Sequence, residues 1–153
     1  MTEPLATETI QQRLGRPFDP AELKAIKRLW VRHSIAEDRR DIDGLIATLT
    51  PTCSYEIVPT GQRWEGHVGA RAFYSELFAA FPDNAFALSE IVIGPQGVFE
   101  VATLTGTNQG PWAGVPPSGM AVALEVLIYF PWDPATQRFT GERIWFDRGA
   151  ATG

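Results

Sequence analysis

The amino-acid sequence predicts an α+β domain. Apolar residues recur at helical spacing only in the first half of the chain. Long alternating or almost wholly apolar runs fill the second half, separated by turns rich in Gly and Pro. Helices first and long strands afterwards, without a repeat or a low-complexity segment, give helices packed on an antiparallel sheet. At 153 residues the chain is one domain with room for a substantial core, and its 44% hydrophobic and 20% charged content is ordinary for a globular protein.

Residues 1–20 are weakly patterned. Thr9–Leu14 can make one or two helical turns before Gly15, Pro17 and Pro20 break the chain. The segment reads as an N-terminal arm, lying on the domain or exchanged with a second subunit, or else as disordered chain. Residues 21–150 form the domain. Asp19-Pro20 is a helix start, with Asp as cap and Pro in the first turn, and the helix runs to about Asp38. Leu23, Ile26, Trp30, His33 and Glu37 share its inner stripe, while Lys24, Lys27, Arg28 and Arg32 lie largely elsewhere. His33 and Glu37 are the polar members of that stripe. Either they are a half-buried pair hydrogen-bonded across one turn, or they point into the mouth of a cavity.

A second helix is expected over Ile42–Leu49, stopped by Pro51. A strand follows over Ser54–Val58, a turn at Pro59-Thr60-Gly61, and a brief strand over Gln62–Gly66 carrying Trp64. The third helix spans about Val68–Phe81, with Phe73, Leu77, Phe78 and Phe81 inward. Four strands remain: Ala85–Ile93, Val98–Thr107, Met120–Trp132 and Arg138–Asp147. A Gly- and Pro-rich loop around Trp112, residues 108–119, separates the second and third of these.

Two strands carry the candidate chemistry. In the last, alternation puts Gly141, Arg143, Trp145 and Asp147 on one face and Thr140, Glu142, Ile144 and Phe146 on the other. A carboxylate, a ring and a guanidinium on the first face suit acid–base work if that face lines a pocket; facing water, they are an ordinary solvated strand. Glu125 interrupts the apolar run 120–132. A buried carboxylate must be paired, protonated or at a wet cavity, so Glu125 either lies beside Arg143 in a pocket or faces solvent or a subunit interface. The five tryptophans and nine phenylalanines fill a core or line a site for an apolar ligand.

Several partners are excluded. A net charge of −5 without a basic tract argues against nucleic acid and anionic membrane surfaces. No apolar run reaches the roughly 20 residues of a membrane span. The opening MTEPLATETIQQ lacks a secretory pattern. Cys53, the single cysteine, cannot form an internal disulfide, which fits a reducing cytoplasm. With only His33 and His67 and no Cys/His cluster, no metal is expected, and no phosphate-binding Gly motif is present.

Four motifs carry a family resemblance across roughly residues 22–148. Asp41-Ile42-Asp43-Gly44-Leu45 resembles a "GDLDGL" turn, with Arg40 in place of its Gly. Trp64-Glu65-Gly66-His67, Ala72-Phe73-Tyr74 and Ala80-Phe81-Pro82-Asp83 resemble a "W-x-G … FY … AFPD" run. Thr105–Gly110 with Gly114–Gly119 resembles "TGTHxG … GIPPTG", and Glu142–Asp147 resembles "ERVYFD". Together they resemble the SnoaL-like, ester-cyclase-like branch of the nuclear transport factor 2-like (ketosteroid isomerase-like) superfamily. The resemblance implies a cone-shaped curved antiparallel sheet wrapped around the N-terminal helices, with a cavity between the first long helix and the concave face. It also implies Asp147 as acid/base and His33 as the donor that replaces an isomerase's Tyr. The isomerase's own Asp after the first strand is replaced near Ile57-Val58, and its acidic strand residue becomes apolar near Ile128. An isomerase mechanism of that type is therefore not expected. The Asp-Arg-Asp set of the fold's epoxide hydrolases is only loosely echoed by Glu125-Arg143-Asp147.

The expectation is a cofactor-free enzyme performing isomerisation, cyclisation or hydration on a small apolar carbonyl-bearing or cyclic molecule. Asp147 and His33 are its catalytic pair. Trp30, Glu37, Trp64, Trp112, Glu125, Arg143 and Trp145 form the substrate wall, and a homodimer forms sheet to sheet. The alternative is a non-catalytic ligand-binding or dimerisation module of the same fold, in which Arg143 neutralises Asp147 and the cone is either filled by side chains or merely holds a ligand.

Overall fold

The computed structural model describes residues 8–149. The expectations for residues 1–7 of the arm and for the last residue of the 21–150 domain lie outside the described residues.

Helix α1 (Ile10–Leu14) starts at Thr9, whose hydroxyl accepts from Gln12 N–H while the Gln12 side chain accepts from Thr9 N–H. This part of the arm lies on the domain. Arg16 donates to the carbonyls of Pro95 (3.1 Å) and Trp132 (3.2 Å). Helix α2 (Pro20–Asp38) begins as expected: Asp19 accepts from Ala21 N–H and Pro20 opens the first turn. Ile26, Leu29, His33 and Ala36 form its buried stripe, with Trp30 and Glu37 half-buried at its border. Full burial of Ile26 alone contributes about 1.5–3 kcal/mol.

The second helix is shorter than expected. α3 spans Ile42–Ile46, and β1 (Leu49–Ile57) begins before Pro51, which does not stop a helix but lies exposed inside the strand. β2 (Gln62–Glu65) pairs back on β1. α4 (Gly66–Ala80) buries Phe73, Tyr74 and Leu77. β3 (Ala85–Gly94), β4 (Gly97–Thr107), β5 (Ala121–Asp133) and β6 (Arg138–Trp145) form the expected meander.

All six strands make one curved sheet in the order β2-β1-β6-β5-β4-β3. It is mixed, because β1 runs parallel to β6 while every other neighbour is antiparallel. The helices close its concave side, giving the α+β cone.

Two breaks interrupt the ladders around β6. Between β5 and β6 the pairing passes from Tyr129↔Arg143 to Trp132↔Phe139, so four steps along β6 answer three along β5. The extra residue is a bulge. Phe139 points inward before it, and Glu142, Ile144 and Phe146 point inward after it. Gly141 sits at the break with φ +117°, and a Cβ there would collide with the Ser54 carbonyl oxygen of β1. Between β1 and β6 the pairing passes from Leu49↔Phe139 to Ser54↔Gly141, so five steps along β1 answer two along β6.

Candidate functional site

The bulge decides which face of β6 meets the interior. Arg143, Trp145 and Asp147, expected to line a pocket, are on the outer face: Arg143 and Asp147 are exposed and Trp145 is half-buried. Arg143 donates to Glu56 (3.1 Å) and its guanidinium lies 5.0 Å over the Trp145 ring. Asp147, just past the strand, accepts from Gly149 N–H. Glu125 is exposed on the same face, opposite Thr103. Glu125, Trp145 and Asp147 do line one groove of about 390 Å3, but it is an open groove on the convex side of the sheet. Their placement inside the cone is thus corrected: alternation assigned the set to one face, and the Gly141 bulge turned that face outward.

Trp64 is also outside the cone. It meets the edge of Phe73 at 5.2 Å and reaches Glu76 at 3.4 Å. Three of the expected residues do face inward. His33 is buried (2% exposed), Glu37 lines the inner cavity, and Trp112 is buried, stacked on Phe146 at 5.0 Å. Trp30 reaches the interior through its indole N–H, which donates to Glu100 at 2.9 Å.

The polar centre is built around Glu142, the residue beside the expected set. Its Oε1 is the common acceptor for His33 Nε2 (3.0 Å), Tyr74 OH (2.9 Å) and Tyr55 OH (3.3 Å). Both hydroxyls also meet each other at 2.8 Å, and Tyr74 lies 3.0 Å from His33 Nε2. His33 Nδ1 lies 2.7 Å from Thr48 Oγ1, whose own proton goes to the Leu45 carbonyl at 2.7 Å. Thr48 therefore accepts from Nδ1–H, which fixes the ring's orientation. With Thr48 accepting from Nδ1–H, the Nε2 of His33 is left facing both the Tyr74 hydroxyl and the Glu142 carboxyl. α2, the α3–β1 junction, β1, α4 and β6 each supply one member. The edges of Phe130 (5.4 Å) and Phe139 (6.4 Å) close on the His33 ring from the apolar side.

Two further carboxyl groups share this interior. Burial first, then the charges of Glu142 and Glu100, holds Glu37 well above the usual carboxylate range. Glu100, on the inner face of β4 beside Ile128, is pushed up to about 7 by burial and by Glu142, against the Trp30 hydrogen bond. An acid thus stands next to the position expected to be apolar. Glu37 and Glu142 line a cavity of about 20 Å3, walled by Phe73, Leu77, Phe86, Leu104, Trp112, Val126, Ile128 and Ile144. That is room for about one water. The indole N–H of Trp112 has no partner among the described residues.

His33, Glu37 and Glu142 bring donor atoms within 4.8 Å of one another, a set of types that a divalent cation could take. Cys53 is buried, and burial pushes its thiol up to about 11, which leaves it a small core residue rather than a nucleophile.

Sequence reasoning missed Glu142, Tyr55, Tyr74, Thr48 and Glu100. The signals were present. Glu142 alternates with Ile144 and Phe146, Tyr55 with Cys53 and Ile57, and Glu100 with Val98 and Ala102, so each is a polar residue in an otherwise inward row.

The family model of the SnoaL-like polyketide cyclases matches residues 25–150. The chain belongs to the SnoaL-like polyketide cyclase family. A candidate SnoaL-like polyketide cyclase from Jannaschia sp. CCS1 is 26% identical, with a TM-score of 0.70 over 88% of this chain and 91% of that one. A candidate of the same family from Shewanella denitrificans OS-217 shares 18% identity and a TM-score of 0.71, covering 88% of this chain and 96% of its own. AclR, a candidate hydroxylase from Streptomyces galilaeus, shares 19% identity and a TM-score of 0.67 over 84% and 93% of the two chains. Comparison with curated proteins finds no match. The SnoaL-like chain thus has the cone of the nuclear transport factor 2-like superfamily. Among its described residues, no helix is long and apolar enough to cross a membrane.

Proposed function

We propose that this SnoaL-like protein is an acid–base enzyme for a small apolar, carbonyl-bearing or cyclic substrate, acting by isomerisation, cyclisation or hydration within the cone. One observation carries the reading. Two carboxyl groups line the same cavity in opposite surroundings: Glu142 meets His33, Tyr55 and Tyr74, while the Glu37 carboxyl has no hydrogen-bond partner among the described residues and burial raises its pKa well above the usual carboxylate range. Such a divergence separates a base from an acid. Glu142 takes a proton from the carbon beside a substrate carbonyl, and Glu37 gives its proton to the carbonyl oxygen, forming the enol. Return of a proton at another carbon isomerises the substrate; attack of the enol carbon on a second carbonyl cyclises it. His33, Tyr55 and Tyr74 orient Glu142 and balance its charge. The acid–base role expected of Asp147 is reassigned to Glu142, because Asp147 is exposed outside the cone.

A substrate needs more than the roughly 20 Å3 seen inside, so the loop carrying Trp112 has to move outward. The same volume favours a second reading, a non-catalytic module with a filled cone. Thermal melting of the wild type and Trp112→Ala against cyclic ketones, diketones and epoxides separates the two. A ligand that raises the melting temperature, more so in Trp112→Ala, supports the enzyme site by mass action. No shift in either protein supports the module.

The outer sheet face presents Val92, Phe99, Leu127, Tyr129 and Trp145, of which Val92 is 66% exposed. We propose that it pairs two copies, and light scattering at micromolar concentration is expected to give a dimer; a monomer contradicts this.

A further inference from the structure

We propose a second ligand site on this chain, an anion-binding cleft on the outside of the sheet beneath the N-terminal arm. It lies where the two ladder breaks meet. The β1 segment between Leu49 and Ser54 has lost its pairing with β6, and the β5–β6 bulge lies beside it. The strands splay, α1 and the turn after it pass over the gap, and a cleft of about 410 Å3 remains. That is the size of a small-ligand site, against about 20 Å3 inside the cone.

The lining suits an anion. Arg13, Thr50, Thr52, Tyr129 and Thr140 contribute to it, together with Arg16. Arg16 is committed: it pairs with Glu8 and donates to the Pro95 and Trp132 carbonyls, so it pins the roof. Arg13 is different. It is half-buried against the cleft, and its guanidinium makes no hydrogen bond or ion pair among the described residues.

Thr50 lines the same cleft from β1. It is 4% exposed, yet its hydroxyl has no partner among the described residues. That hydroxyl is sealed from the cleft, so Thr50 contributes wall and Arg13 the anion contact. The acidic residue of the lining, Asp133, accepts from Ala135 N–H (3.1 Å) and Thr136 OH (2.6 Å), and its charge is opposed in the cleft by those of Arg13 and Arg16. Tyr129 donates to the Gln96 carbonyl at 3.1 Å. A guanidinium fork beside threonine hydroxyls recognises a carboxylate or a phosphate. The ligand class is therefore a small molecule bearing one such group, held outside the cone and independently of Glu142.

The test is titration of the full chain with inorganic phosphate and, separately, with acetate, by calorimetry and thermal melting at constant ionic strength. Saturable one-to-one binding of at least one of them is expected, and which one binds identifies the head group. Arg13→Gln should weaken it by about tenfold or more. Thr50→Val should leave the melting temperature of the unliganded protein unchanged or higher, since it removes an unpartnered hydroxyl. Glu142→Gln should leave anion affinity unchanged, which separates this site from the cone. Absence of saturable binding overturns the proposal. So does a stabilisation that chloride reproduces, or binding that survives Arg13→Gln.

Discussion

The two faces of β6 differ by one residue in register and by everything in environment. Inside, Glu142 is 3% exposed, meets three donors, and sits among groups whose charges shift one another. Outside, Arg143 and Asp147 are exposed and, among the described residues, engage Glu56, the Trp145 ring and a neighbouring backbone N–H. The contrast teaches that residue type alone does not mark a site. The same carboxylate chemistry matters where burial removes water's screening and fades where it does not.

The largest test of this contrast is truncation inside. Glu142→Ala leaves His33, Tyr55 and Tyr74 buried without their shared partner and should cost about 3–5 kcal/mol in urea unfolding. Gly141→Ala attacks the bulge that turns Glu142 inward. Its Cβ would sit against the Ser54 oxygen at a φ of +117°, and a loss of about 2–3 kcal/mol or more is expected. Wild-type stability after Gly141→Ala would mean that the bulge can be ironed out and the two faces exchanged.

The pH dependence sharpens the same point. Glu100 binds its proton more tightly folded than unfolded, so the folded state carries more protons between 4.5 and about 7. Its contribution is present at low pH and is lost as pH rises through that window, on the order of 2–3 kcal/mol. Glu37 acts in the same direction. Glu100→Gln should flatten the fall in stability relative to wild type, measured by denaturation at a series of pH values; an unchanged slope would mean that Glu100 is solvated when folded. The smallest effect is expected outside. Arg143→Ala should change stability by no more than about 1 kcal/mol, and less at high salt. A larger loss would show that Arg143 is itself buried in the dimer interface proposed for this face.

Much of the fold is legible in the chain. Asp19-Pro20 sets the start of α2, the stripe through Ile26 and His33 sets its inner face, and the apolar rows set β4 to β6. The family motifs supply the cone. Pro51 misleads because a proline reads as a helix stop, whereas β1 accommodates it in the stretch where its pairing with β6 lapses. The site is half legible. His33, Glu37 and Trp112 stand out, but strand alternation gives two faces without saying which is inner. Ile144 and Phe146 argue for the Glu142 face, and Gly141 within a strand is itself a bulge signal. Tyr74 and Thr48 join only through contacts between distant elements, which no local pattern contains.

The most direct measurement is deuterium wash-in at carbons beside the carbonyl of cyclic ketones and 1,3-diketones, followed by proton NMR in deuterated buffer. It reads proton abstraction itself and needs no knowledge of the final product. The account predicts that the wild type accelerates exchange for at least one compound, that Glu142→Gln loses about 10²–10⁴ of that rate, and that Asp147→Asn retains it. Exchange kept by Glu142→Gln and lost by Asp147→Asn would place the chemistry on the other face of the strand and contradict the account.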